Sequence, residues 1–316
     1  MKILSKLPRI RKATVATIGV FDGIHRGHSR LLRHLTASAE RSGMASLLIT
    51  FWPHPQALLN KHFYGCITDL NQKKKILKQY GIDYVLVLRS TKQLLRLKGE
   101  DFLANITKKV TIKKLIVGED FRFGHRAQQG IRDLKRIAVQ YGFSVTVIRK
   151  SKIQQRVVSS SLIRTLIMKG ALKKVKTFLG RNYYLEARIK KGKGLGRKLG
   201  YPTLNLDPQG VVIPHPGVYV VGALLTHMLC VGLCNIGVAP TVSKTKQLKI
   251  EVHLLDYHPR ALEKLGIVFL ERIRDERRHT SLEKLSQSIG KDIRLVRLKY
   301  PSLSGDVLPW RVVGRC

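Results

Sequence analysis

Residues 14–32, TVATIGVFDGIHRGHSRLL, constrain the fold of this chain more than any other stretch. Val15, Ile18 and Val20 are β-branched and apolar, as in a strand buried inside a sheet. Gly19, Gly23 and Gly27 let the backbone bend and come close to a ligand. His25 and His28 lie three apart, so on an opening helix they share one face near its positive end. Two imidazoles beside the unbonded N–H groups of a helix N-terminus make a place for a polyphosphate. The stretch therefore predicts a buried strand, a tight glycine turn and a helix.

The alternation continues downstream. Helices are expected at residues 29–42, 70–80, 100–110 and 130–141, and strands at 44–51, 84–88, 114–117 and 144–148. Such alternation implies a parallel, doubly wound sheet, which binds ligands at the carboxyl ends of its strands near a topological switch point. One helix is expected over residues 160–179, running through Gly170. From residue 183 to about residue 256 the pattern changes to short strands broken by Gly and Pro: YYLEARIK, GVYVVGALL, LCVGLCNIG and LKIEVHLLD. That is the signature of a small antiparallel barrel, and a helix at 281–298 closes the pattern. The boundary falls near residues 180–183.

Three segments carry further chemistry. VVSSSLIR places Ser159, Ser160 and Ser161 at a helix start, where hydroxyls and N–H groups can meet a phosphate or simply cap the helix. Arg164, one turn in, can neutralise phosphate charge. KGKGLGRKLGYPTLN, residues 191–205, packs glycines and basic residues as a phosphate-wrapping loop or a flexible turn would, and is not a Walker loop. VGEDFRFG follows a strand and carries Glu119, Asp120 and Arg122.

A chain of 316 residues is long enough for two domains, each with its own core. No run approaches the ~18 apolar residues of a membrane helix. The basic N-terminus lacks the apolar stretch of a secretory signal. Four scattered cysteines (Cys66, Cys230, Cys234, Cys316) make no disulfide framework, and Cys230 and Cys234 read as small core residues. No Cys/His set has zinc spacing. A reducing cytoplasm is the simplest setting. The net charge of +39 attracts polyanions, but no aromatic-basic motif of an RNA-binding sheet accompanies it.

GVFDGIHRGH closely resembles the H-x-G-H signature of the nucleotidyltransferase superfamily. Its flanks resemble in particular the bifunctional riboflavin kinase/FAD synthetase family of prokaryotic type. FWPHP (residues 51–55) is similar to that family's F-D-P-H-P, with Trp52 where aspartate is usual. VGEDFRFG is similar to G-x-D-F-x-F-G and VVSSSLIR to I-S-S-T-x-I-R. GRKLGYPTLN nearly matches the riboflavin kinase motif ending in P-T-A-N, with Leu204 for alanine. LKIEVHLLD matches L-E-x-H-L-L-D, and Asn235, Gly237, Pro240 and Thr241 reproduce N-I-G-x-x-P-T. Departures follow: Leu262, Glu263 and Lys264 stand for Y-G-K, Ser288 stands for a glutamine, and residues 299–316 have no counterpart.

The resemblance implies a doubly wound α/β nucleotidyltransferase (Rossmann-like) domain at 1–180, then a small antiparallel β-barrel riboflavin kinase domain with a C-terminal helix at 181–298, then a tail. It implies two reactions: riboflavin to FMN with ATP, and FMN to FAD with release of pyrophosphate. It assigns catalytic roles to His25, His28 and Arg164 in adenylyl transfer and to Glu251 as base in the kinase. Nucleotide binding would fall to Gly19, Phe21, Asp22, Gly23, Asp120, Ser159, Ser160 and Ser161 in the first half, and to Gly196, Arg197, Gly200, Thr203 and Asn205 in the second. Thr203 and Asn205 would also hold Mg²⁺. The partners implied are ATP, riboflavin and FMN; no membrane is implied, and oligomeric state is left open. Rival readings are an FAD synthetase whose kinase half has decayed, and an RNA-binding or regulatory protein on the same scaffold.

Overall fold

The computed structural model describes residues 1–7, 9–192, 194–225, 228–238, 248–257, 262–277, 279–303 and 307–308. The chain divides into two compact units, Met1–Ser160 and Ser161–Cys316.

The first unit is built from β1 (Lys2–Leu4), β2 (Ile10–Ile18), α1 (Arg26–Arg41), β3 (Ala45–Trp52), α2 (Pro55–Leu59), α3 (Leu70–Lys78), β4 (Tyr84–Arg89), α4 (Lys92–Arg96), α5 (Gly99–Thr107), β5 (Val110–Gly118), α6 (Ile131–Gln140) and β6 (Ser144–Ile148). Its strands form one parallel sheet in the order β1-β4-β3-β2-β5-β6. The reason lies in the strand sequences. In β2, β3 and β5, Ala16, Leu47 and Leu115 join a core completed by Phe102 and Ile106 of α5 and Leu134 and Ile137 of α6. The alternate residues Val15, Leu48 and Ile116 are no more than 2% exposed as well. Strands apolar on both faces require cover on both faces, so a doubly wound parallel sheet results. Each fully buried Leu or Ile contributes about 1.5–3 kcal/mol.

From β2 the connections run outward through β3 and β4 on one side and through β5 and β6 on the other. The switch point thus lies between β2 and β5, where residues 19–28 and 118–124 leave the sheet. The strand expected from Val15 begins earlier, at Ile10, and the basic N-terminus supplies an unforeseen edge strand with Lys2 opposite Tyr84. Val110, expected to end a helix, opens β5 instead.

A short hairpin, β7 (Lys152–Ile153) and β8 (Arg156–Val157), turns through Gln154 and Gln155 at φ 48 and 59. Then come α7 (Ser160–Met168) and α8 (Leu172–Leu179). These are two helices where the sequence predicts one. Gly170 at φ +67 breaks the run, and a Cβ there would meet Arg272 Cδ at 2.9 Å and Tyr219 Oη at 3.0 Å. Only glycine takes both the left-handed backbone and the close approach.

The second unit's sheet is a closed antiparallel barrel of β9 (Tyr183–Lys190), β10 (Leu204–Asp207), β11 (Gly217–Leu224), β12 (Leu229–Val238), β13 (Leu248–Leu254) and β14 (Lys264–Arg274), with α9 (Leu195–Lys198) before β10. The barrel does not end near residue 256 as expected. β14 pairs with both β11 and β9 and closes it. α10 (Leu282–Lys299), capped by Ser281, packs Ile293 and Val296 against Val218, Val220 and Leu233. The alternate residues Tyr219, Val221, Cys234, Ile236 and Val252 are 0% exposed and therefore line the barrel interior. Burial pushes the Tyr219 hydroxyl up to about 12 and the Cys234 thiol well above its usual range. Of the tail, Leu303 and Val307 lie over Gly222 of β11.

Candidate active sites

In the first unit the site is the turn after β2. His25 is the N-cap of α1, and its Nδ1 accepts the amide of His28 at 3.3 Å. A ring nitrogen that accepts carries no proton, so the neutral His25 ring holds its proton on Nε2. The two imidazoles stack with centroids 3.7 Å apart and planes 13° apart, and the Phe21 ring lies 5.1 Å from His28. The shared helix face expected of the two histidines becomes a stacked pair at the helix start. Phe21 and Ile24 hold φ of 49 and 41, conformations that non-glycine residues keep only when their surroundings fix them.

The fixing groups come from distant segments. Asp22 is 2% exposed, and its Oδ1 accepts the amides of Ile67 at 2.9 Å and Thr68 at 3.3 Å. The Gly23 amide donates to Thr68 Oγ1 at 3.2 Å. Ser160 Oγ donates to the Asp22 carbonyl at 2.8 Å, and the Val20 carbonyl accepts Thr50 Oγ1 at 3.0 Å and Lys73 Nζ at 2.8 Å. Asp22, expected to meet nucleotide, also ties the turn to the neighbouring loop through Oδ1. Gly19 lies beside the Phe21 ring, with 3.0 Å from its Cβ position to Phe21 Cε2. Asp120 stands past the end of β5, across the switch point, with its side chain 65% exposed and Lys150 Nζ 3.6 Å away.

Ser159 and Ser160 are half-buried, and Ser161 is exposed in the first turn of α7. Arg164, one turn along the same helix, is 8% exposed. In FWPHP, His54 is buried, caps α2 by accepting the Gln56 amide, and packs on Phe63. That histidine serves the loop's own structure.

In the second unit the predicted residues meet at one barrel face. Asn205 of β10 lies opposite Glu251 of β13, which lies opposite Asn235 of β12. The three form a row across three strands. Thr203 immediately precedes β10. The glycine loop folds back onto them: a Cβ at Gly192 would sit 2.0 Å from Asn205 Nδ2, so a larger residue there would push the Asn205 side chain aside. The loop contains one helical turn, α9, closed by Tyr201 N donating to the Gly196 carbonyl at 2.8 Å. Arg197 on that turn and Gly200 after it are exposed. Glu251 is paired with Lys249 at 2.7 Å. Pro240 and Thr241 lie outside the described residues.

A cavity of about 600 Å³ adjoins the loop, between β13 and α10, lined by Gly200, Tyr201, His253, Ile293, Arg294 and Arg297 among others. His253 Nδ1 donates to the Pro202 carbonyl at 2.8 Å, and Tyr201 meets the His253 ring edge-on. Arg274 of β14 makes a bidentate pair with Asp292 of α10, 2.7 Å at its shortest, and donates to Ser288 Oγ at 3.2 Å. Ser288, where glutamine is usual, so retains a partner.

Sequence reasoning missed Ile67, Thr68 and Lys73, which grip the first turn, and Arg274, which anchors α10. Lys73 alone left a signal, standing at helical spacing before the apolar Ile76 and Leu77.

A family model described as FAD synthetase matches residues 7–162, and one described as riboflavin kinase matches residues 179–299. A bifunctional riboflavin kinase/FMN adenylyltransferase of Buchnera aphidicola subsp. Schizaphis graminum is 34% identical over 95% of this chain and 98% of its own. The chain belongs to the bifunctional riboflavin kinase/FMN adenylyltransferase family. The Escherichia coli K12 member is 33% identical over 92% of this chain and 93% of its own. The crystal structure of a macrolide-efflux protein from Streptococcus pneumoniae matches with TM-score 0.83 at 24% identity, over 93% of this chain and 98% of that one. At that identity the likeness speaks to the fold alone. Among the described residues, no helix is long and apolar enough to cross a membrane and no His/Cys/Asp/Glu group could hold a metal ion.

Proposed function

We propose that this chain makes both flavin cofactors: it phosphorylates riboflavin to FMN with ATP and adenylylates FMN to FAD, releasing pyrophosphate. The observation that carries this is the pair of family matches in order along one chain, with relatives of the bifunctional kind aligned end to end. Adenylyl transfer belongs to residues 1–180, phosphorylation to 181–298, and 299–316 form a tail.

In the first half, the FMN phosphate attacks the α-phosphate of ATP. Little covalent work falls to the protein, so alignment and charge stabilisation supply most of the rate. The stacked His25 and His28 and the amides at the start of α1 receive the triphosphate. Gly19, Phe21 and Gly23 shape that turn, and Asp22 anchors it. Asp120 and the serines Ser159, Ser160 and Ser161 position nucleotide, and Arg164 neutralises charge gathering on the α-phosphate.

In the kinase half, Glu251 takes the proton of the ribityl 5′-hydroxyl as the γ-phosphate arrives. The cross-strand row keeps Asn205 beside that carboxylate. The glycine loop, with Gly196, Arg197 and Gly200, wraps the phosphates. A threonine hydroxyl and an asparagine carbonyl are the hard oxygen donors Mg²⁺ accepts alongside phosphate oxygens and water, so Thr203 and Asn205 fit it. Bound there, Mg²⁺ would screen the phosphate charge. Buried free thiols at Cys66, Cys230 and Cys234 are consistent with a reducing, cytoplasmic setting.

The test is chromatographic. Purified protein with ATP and Mg²⁺ is given riboflavin in one tube and FMN in another, and the flavins are resolved. FMN and FAD from the first tube are expected. FAD only from the second would mean a decayed kinase. No product in either, with salt-dependent RNA retention, would favour the polyanion-binding rival.

A further inference from the structure

Lys73 sits where a lysine is costly. Lys75 and Lys78 on the same helix are exposed, but Lys73 is 2% exposed, on the stripe that buries Ile76 and Leu77. Lysines are almost never so buried unless their charge is matched. Here Nζ donates to the Val20 carbonyl at 2.8 Å and stands 5.9 Å from the Trp52 ring centroid. Two titratable groups act on it: Asp22 from the turn and Cys66 from the segment before α3. The Asp22 carboxylate is already engaged by two amides. Burial pushes the Lys73 ammonium below the ordinary lysine range.

Its geometry gives the charge a use. The Val20 carbonyl that it holds, together with Thr50, immediately precedes the strained Phe21. The ammonium thus sets the entry to the turn and leaves positive potential behind it. Trp52 completes the arrangement. A carboxylate at that position, as in the pattern F-D-P-H-P, would add a negative charge near Nζ and offset its field, whereas an aromatic face adds none.

We propose that Lys73 is a positioning residue for adenylyl transfer, holding the turn at residues 20–23 in its nucleotide-binding form and lending it positive potential, with Trp52 as an uncharged π partner. This rests on the assignment of adenylyl transfer to this half of the chain.

The experiment compares full-length wild type, Lys73→Met, Trp52→Asp and Cys66→Ala. FAD formation from FMN and ATP is followed from neutral to strongly alkaline pH. Riboflavin phosphorylation by the same chain is the folding control. Wild type should lose FAD formation along an alkaline limb that lies below the ordinary lysine range. Lys73→Met should lower kcat/KM roughly tenfold, the worth of one charge-assisted hydrogen bond, mainly through KM for ATP, and show no limb. Trp52→Asp should move the limb to higher pH, and Cys66→Ala, which removes a group that favours the ammonium, should move it to lower pH without abolishing it. A wild-type profile without the limb, a limb that vanishes in Cys66→Ala, or Lys73→Met with wild-type kcat/KM overturns the proposal. If Lys73→Met loses both activities and so has not folded, the Trp52→Asp limb decides alone, and a limb that stays put overturns it. A wild type that makes no FAD from FMN refutes the assignment of the reaction instead.

Discussion

Glu251 and His28 place the two reactions on different side chains, and single substitutions separate them. Glu251→Ala should lower riboflavin phosphorylation by about 10²-fold or more, the worth of a positioned base, and spare FAD formation from FMN. His28→Ala or Arg164→Ala should do the reverse. Chromatography of the flavins reads both rates from one preparation, and a joint fall in every variant would refute two separate sites. The histidines were legible because their geometry is local, a cap and a stacked neighbour three residues on. Lys73 showed only its helical spacing and Thr68 nothing, because their contacts with the turn span 53 and 45 residues and appear only once the sheet is assembled.

Elements differ in the same way. β2 and β3 announce themselves by β-branched and apolar runs buried on both faces. β14 carries GIVFL between charged ends, a continuous apolar run whose period fits a buried helix as well as a strand, so closure of the barrel was not visible. β1 has three residues, too few for any period. Gly170 marks a real break, and Gly170→Ala should destabilise the fold by about 1–3 kcal/mol, read as a shift in denaturation midpoint. At Gln154 and Gln155, an Asn-Gly pair should stabilise the hairpin by roughly 0.5–1 kcal/mol, since both positions hold positive φ. On α10, Lys299 bonds both oxygens of Glu271 at 2.8 and 2.6 Å and holds that carboxyl below its usual range. Such a group adds stability above its unfolded pKa of about 4.3 and loses it as pH falls through the lower folded value. Melting temperatures of wild type and Lys299→Ala should therefore converge on acidification below about pH 4.

For the molecule as a whole, a net charge of +39 repels itself in the folded state more than in the expanded chain. Added salt should raise the melting temperature, and multivalent anions such as polyphosphate should raise it at lower concentration. A melting temperature indifferent to salt would show the charges to be spaced too far apart to repel one another appreciably. The order of domains was legible from the change of pattern near residue 180, because a parallel sheet and a barrel bury their strands differently.

The turn at residues 20–24 also has a history within each molecule's birth. Its anchors are residues 50, 67, 68, 73 and 160, the last 138 positions downstream. A nascent chain therefore emerges from the ribosome with its signature sequence among the first segments made and its geometry among the last completed. Until Ser160 has cleared the exit tunnel, the turn lacks the bond to the Asp22 carbonyl. A chain released before residue 160 would carry the motif in writing without the hydroxyl that ties Asp22 in place.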